Sequence, residues 1–208
     1  MTRAWPVDDV DPDASLATNA RRILAVRMAE FYSYTPVILL EEADEALHDL
    51  RISAKRLRYT LELFRAVFGD RGERQIERVK AIQEELGGLH DHDVRIALVE
   101  AELAQQAVAE TTKIGAAFAS APKGTHAAIT ASALRPPPDD PRRGLLALLG
   151  REHDARRQRY LVFRQRWEEI DQAGIRAELA ALSATPLRLT PAPAHATAVD
   201  AIEEAVSR

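Results

Sequence analysis

Between Glu41 and Phe68, apolar residues fall at Leu47, Leu50, Ala54, Leu57, Leu61, Phe64 and Phe68. This 3-4-3-4-3-4 spacing keeps them on one helical face and predicts the packed seam of a bundle. Gly69 is read as the stop. An earlier helix carries Leu16, Ile23, Leu24, Met28 and Phe31, with Asp13 or Ser15 as its cap, and ends before Pro36. A third runs from Gly72 to Leu86 with Ile76, Val79, Ile82 and Leu86 inward, and the Gly87-Gly88 pair is read as its end. Asp91 or Asp93 then caps a fourth helix through Val94, Leu98 and Ala101.

Thr111–Leu134 is alanine-rich and weakly patterned. The prolines between Arg135 and Pro141 require a loop. A long helix from Arg143 to Asp171 presents Leu149, Tyr160, Phe163, Trp167 and Ile170. After Thr185 the chain is Pro- and Ala-rich, with a short terminal turn expected at Val199–Val206. No apolar–polar alternation persists long enough for a strand. The fold class expected is all-α: an antiparallel bundle of about five or six helices with a basic groove. Residues 1–12 read as a flexible leader, 13–172 as the helical domain, and 173–208 as a partly disordered extension.

The 208 residues suffice for a sizeable core. There is no cysteine, which removes disulfides, thiolate metal sites and cysteine nucleophiles. No apolar run approaches bilayer length, and the N-terminus lacks the apolar block of a signal peptide, so a cytoplasmic protein without membrane partners is expected. The net charge of −4 is unevenly spread: residues 47–68 hold five Lys/Arg against two acids, and residues 141–167 hold eight Arg against two acids. Those stretches sum to +9, leaving −13 for the rest. Local concentration suits an anion site better than a broad nucleic-acid coat.

His48, Arg51, Lys55 and Arg58 repeat the 3-4-3 spacing of the apolar seam, displaced by one residue. At 100° per residue they lie within about 80° of one another, over roughly 15 Å of helix. Like charges at such spacing repel by a few tenths of a kcal/mol per pair. Asp44 and Glu62 stand only at the two ends of the row, and Asp49 and Arg56 point elsewhere. As plain structure, such a row is solvated or pairs with acids on another helix. As a site, it is a ligand set for a linear polyanion, with arginine forks and lysine point charges for phosphate oxygens. Only Tyr59 interleaves with it, whereas nucleic-acid readers usually supply several stacking aromatics.

In the last helix, His153, Arg156 and Tyr160 continue the register of Leu149, Phe163 and Trp167, with Arg157 and Arg159 alongside. A buried unpaired arginine is very costly. Either acids from a neighbour meet these groups, or the helix lines a wet channel with an anionic occupant. Tyr160 reads equally as a hydroxyl donor or as a core tyrosine. His48-Asp49 and His90-Asp91-His92-Asp93 invite a metal reading, because His-Asp pairs on separate helices bind ions in metal-dependent phosphohydrolases. Against it, His48 sits among cations and Asp91 and Asp93 read as caps. His90, just before an expected helix start, is placed to favour an anion. His92 reads as a surface residue, and His126 and His195 read as incidental. There is no phosphate loop, nucleophile elbow or other catalytic set.

The segment Leu47-His-Asp-Leu-Arg-Ile-Ser-Ala-Lys-Arg-Leu-Arg-Tyr-Thr-Leu-Glu-Leu-Phe64 resembles the signature helix of the CHAD (conserved-histidine α-helical) domain family. Leu86-Gly-Gly-Leu-His-Asp-His-Asp-Val94 is similar to the family's second block, and Arg156-Arg-Gln-Arg-Tyr160 with Phe163 and Trp167 to its closing helix. The likeness spans about residues 15–172. It implies an all-helical domain that binds inorganic polyphosphate in a basic channel. It also implies ligand roles for His48, Arg51, Lys55, Arg56 and Arg58, for Lys80 and His90, for Arg156 and Arg157, and for Arg22 in the first helix.

Family members commonly carry two such helical units, whereas this chain shows one His-x-x-Arg helix and no internal repeat. Either it is a short single-unit form, or two chains pair as a homodimer to complete the channel. No triphosphate-tunnel domain is expected in these residues, since such a domain needs strands with alternating Glu and Lys/Arg. The expectation is a non-catalytic polyphosphate binder without a cofactor or metal, directed to polyphosphate granules. The rivals are a metal-dependent phosphohydrolase and a nucleic-acid-binding protein.

Overall fold

The computed structural model describes residues 3–133 and 140–184. Within them 84% of the chain is helical, in six α-helices, and there are no strands. The helices are α1 (Leu16–Tyr32), α2 (Asp44–Leu63), α3 (Arg65–Ser120), α4 (His126–Ala133), α5 (Pro141–Gln172) and α6 (Ile175–Ala184), with a 3-10 turn at Thr35–Leu39. Ser15 caps α1, its hydroxyl accepting from the Thr18 N–H at 3.1 Å. Asp140 caps α5 in the same way, with Pro141 in the first turn.

The seam expected on α2 is the core seam: Leu47, Leu50, Ala54, Leu57 and Leu61 are all buried. They pack against Ala20, Leu24 and Phe31 of α1 and Val79, Ile82, Leu86 and Leu89 of α3, with Tyr160, Phe163 and Trp167 of α5 in the same cluster. Phe31 and Trp167 meet at 5.3 Å between ring centroids, and Tyr32 lies edge-on to both. The Tyr160 hydroxyl donates to the Ile38 carbonyl at 2.9 Å, so it belongs to the core.

Four sequence expectations change. First, α2 ends at Leu63, not Phe68, because Phe64 leaves helical geometry. Gly69, at φ 56°, then lets the chain reverse, a conformation that costs glycine little. Secondly, α3 does not stop at Gly87-Gly88 but continues to Ser120. Two glycines cost a helix about 1 kcal/mol each, but Ile82, Leu86, Leu89 and Ile96 are buried on either side and hold the segment. Gly88 has a further reason: a Cβ there would lie 2.4 Å from Arg159 Nε, so its absence admits α5. Asp91 and Asp93 are consequently interior helix residues rather than caps, and His90 is not at a helix start.

Thirdly, residues 3–12 are tied down rather than loose. Arg27 donates to the Trp5 carbonyl at 2.8 Å and Arg22 to the Asp9 carbonyl at 2.7 Å. Fourthly, the helical body passes residue 172: α6 buries Ile175, Leu179 and Leu182 against the core. Gln75 and Arg78 of α3 hydrogen-bond its Glu178 at 2.6 and 3.1 Å. Of the loop expected at 135–141, residues 135–139 lie outside the described residues, whereas Asp140 caps α5 and Pro141 opens it; the terminal turn expected at 199–206 also lies outside them.

Candidate functional site

The Gly69 reversal sets α3 antiparallel to α2, and the two pack along their length. His48 Nδ1 lies 3.4 Å from His90 Nδ1, with ring centroids 4.6 Å apart. Equal rise per residue on both helices then brings Arg51, Lys55 and Arg58 level with Gly87, Gln83 and Lys80. On α3, Lys80, Gln83, Gly87 and His90 therefore repeat the 3-4-3 spacing of the α2 cation row in reverse. A Cβ on Gly87 would meet nothing within 4 Å, so the α3 surface is open at that position.

Among the described residues, no carboxylate is in ion-pair contact with Arg51, Lys55 or Lys80. Arg51 Nε and Gln83 Oε1 are enclosed and have no hydrogen-bond partner there. Such orphaned polar atoms carry a desolvation cost until a ligand or solvent meets them. Lys55 Nζ and Arg58 Cζ lie 5.6 and 5.0 Å from the centre of the half-exposed Tyr59 ring. Arg58 Nε is 3.6 Å from Glu62 Oε1, a loose pair at the row's far end. His90 is held below the ordinary imidazole value by burial first, then by His48 and Arg51, with Asp93 and Asp91 acting in opposition.

Four expected ligands stand apart from this row. Arg56 points to α1, donating to the buried Glu30 at 2.6 Å, where Arg27 also binds. Arg156, only 8% exposed, forks between Asp93 and Asp44 and donates to the Glu41 carbonyl at 3.0 Å. Both occupy core-side registers, where burial demands a partner. Arg22 is engaged with the leader, and Arg157 is exposed on α5. His92 accompanies Arg95 against Glu152 of α5, at 2.7 Å from its carboxylate.

The sequence assigns Gln83 no role, reads Gly87 only as a helix end, and offers neighbouring acids to Arg156 without naming Asp44 and Asp93, which clamp it. The α3 periodicity could have revealed the first two. The clamp has no sequence signal, because Asp93 and Arg156 are 63 residues apart. Among the described residues, no three His, Asp or Glu side chains are grouped to share a metal ion, and no helix is long and apolar enough to cross a membrane.

The described residues thus form an all-helical bundle in which paired histidines stand beside a row of cations. A family model, the CHAD domain, matches residues 2–100. That stretch holds α1, α2, the His48–His90 contact and α3 as far as residue 100. No curated protein matches the chain, and no solved structure does.

Proposed function

We propose that the α2–α3 groove binds inorganic polyphosphate without catalysis and directs the protein to polyphosphate granules. The observation that carries this reading is the pair Arg51 and Lys55. They stand beside two histidines and level with Lys80, with no carboxylate in ion-pair contact with them among the described residues. A chain bearing one charge per repeat can follow the whole row, exchanging bound counterions for fixed cations. The near absence of stacking aromatics favours phosphate over nucleic acid.

The test is a titration with polyphosphates of defined length at two salt concentrations. Affinity should rise with chain length and fall steeply with salt. The R51E/K55E double variant should bind at least about tenfold more weakly, a loss of about 1.4 kcal/mol. Unchanged binding in that variant overturns the reading. Phosphate release with a divalent metal present would favour the phosphohydrolase instead, and nucleic acid that excess polyphosphate cannot displace would favour a nucleic-acid reader.

A further inference from the structure

The two histidines and Arg156 form one cluster built from three helices. Asp44 lies four residues before His48, and Asp93 three residues after His90. At those helical spacings side chains meet, so each carboxylate is placed to neutralise its imidazole. Instead Arg156 of α5 holds both. The charged groups acting on His90 are Arg51 from α2 and Asp91 and Asp93 from α3, and Arg156 from α5 joins Asp93 to Asp44 of α2. Of these, Asp91 is exposed.

Two Nδ1 atoms 3.4 Å apart share one proton at most, since protonating both would set two N–H donors face to face. A phosphate oxygen against the pair accepts from both rings and removes that conflict. We infer that the His48–His90 pair takes up a proton as a polyphosphate binds, and that Arg156 is the positioning residue that limits earlier protonation by offsetting the charge of Asp44 and Asp93. The inference rests on the α2–α3 groove being the anion site. Its physical basis is competition: a carboxylate left free beside the pair would supply the counter-charge that the ligand otherwise supplies, protonating the rings beforehand and repelling the phosphate. The low-lying protonation of His90, set by burial, His48 and Arg51, leaves that proton to be gained on binding.

The experiment uses the full chain and a polyphosphate of one defined length. Calorimetry in two buffers of different ionisation heat, from pH 6 to 8, counts the protons taken up. Side-chain nitrogen NMR follows His90. The wild type should take up close to one proton and lose affinity by up to roughly tenfold per pH unit as pH rises. His90→Asn should abolish the uptake and flatten the pH profile while Arg51 and Lys55 still bind. In Arg156→Gln, with folding checked by circular dichroism, the His90 midpoint should rise without ligand and proton uptake should shrink. A merely structural role would weaken binding and leave that midpoint in place. Arg156→Lys keeps the charge but loses the fork, and should move the midpoint less, in the same direction. It decides the matter if Arg156→Gln does not fold.

Tight binding by the wild type with no proton uptake and a flat pH profile overturns the inference and spares the groove. So does an unmoved His90 midpoint in a folded Arg156 variant. No binding at any pH overturns the groove reading itself.

Discussion

The α2 row and the Arg156 clamp are built from the same residue types but have opposite fates. On α2, Arg51 and Lys55 stand one residue off the apolar seam, half-buried or exposed, and have no ion-pair contact with an acid among the described residues. On α5, Arg156 lies in the seam itself, is 8% exposed, and is gripped by two carboxylates and a carbonyl. The difference shows what burial does to a cation. In the seam, water is excluded and an uncompensated charge would cost several kcal/mol, so the fold must supply acids. One residue away, solvent suffices, and the charge remains available to an external anion. Arg56 makes the same point inside a single helix: it adjoins Lys55 in sequence yet faces α1, where Glu30, 1% exposed, takes it up.

The comparison breaks most visibly on stability. Arg156→Ala leaves the largely buried Asp93 without its partner and empties a core position, and should lower unfolding free energy by about 1–3 kcal/mol, read from urea denaturation. Arg51→Ala should change it by less than about 0.5 kcal/mol. Equal losses at the two sites would erase the distinction. Polyphosphate affinity should reverse the order for charge reversal on α2: R51E/K55E loses at least about tenfold in binding and keeps its unfolding midpoint.

Acid titration sharpens the contrast between clamped and free charge. The hydrogen bond from His92, with that from Arg95, holds Glu152 below the ordinary carboxylate range, and the hydrogen bond from Arg78 does the same for Glu178. A lowered folded value means that the contribution is complete above the unfolded pKa, about 4.3 for glutamate, and disappears as pH falls through the folded value. Unfolding free energy should therefore decline below about pH 4, and Glu152→Gln should make that decline shallower. Among the described residues the α2 row has no such carboxylate partner at Arg51 or Lys55, so R51A should leave the slope unchanged.

The smallest effect separates the two adjacent glycines of α3. Gly87→Ala places its Cβ in open space and should stabilise by up to about 1 kcal/mol through helix propensity. Gly88→Ala meets Arg159 at 2.4 Å and must displace its guanidinium from Glu85, which should offset most of that gain. Thermal denaturation distinguishes them, and an equal gain at both positions would show that Arg159 moves aside freely.

Helix existence and the α2 seam were legible because 3.6-residue periodicity is local, and every α2 seam position from Leu47 to Leu61 is buried. The cation row was legible for the same reason, being one helix read along its own axis. The Gly87-Gly88 boundary misled because propensity is a weak prior where tertiary packing surrounds the residues. The error carried over to His90, Asp91 and Asp93, whose expected roles depended on a helix start that is not there.

The chain's own pattern of apolar and charged positions thus determined an all-helical protein, its main seam, and a row of cations displaced from that seam. Tertiary structure alone decided which cations stay free. It set His90 against His48 across 42 residues of sequence, gave Arg56 to Glu30, and gave Arg156 to Asp44 and Asp93. Charge neutralisation acts through space at a few ångströms, and a sequence specifies which residues can pair only after the backbone has placed them side by side.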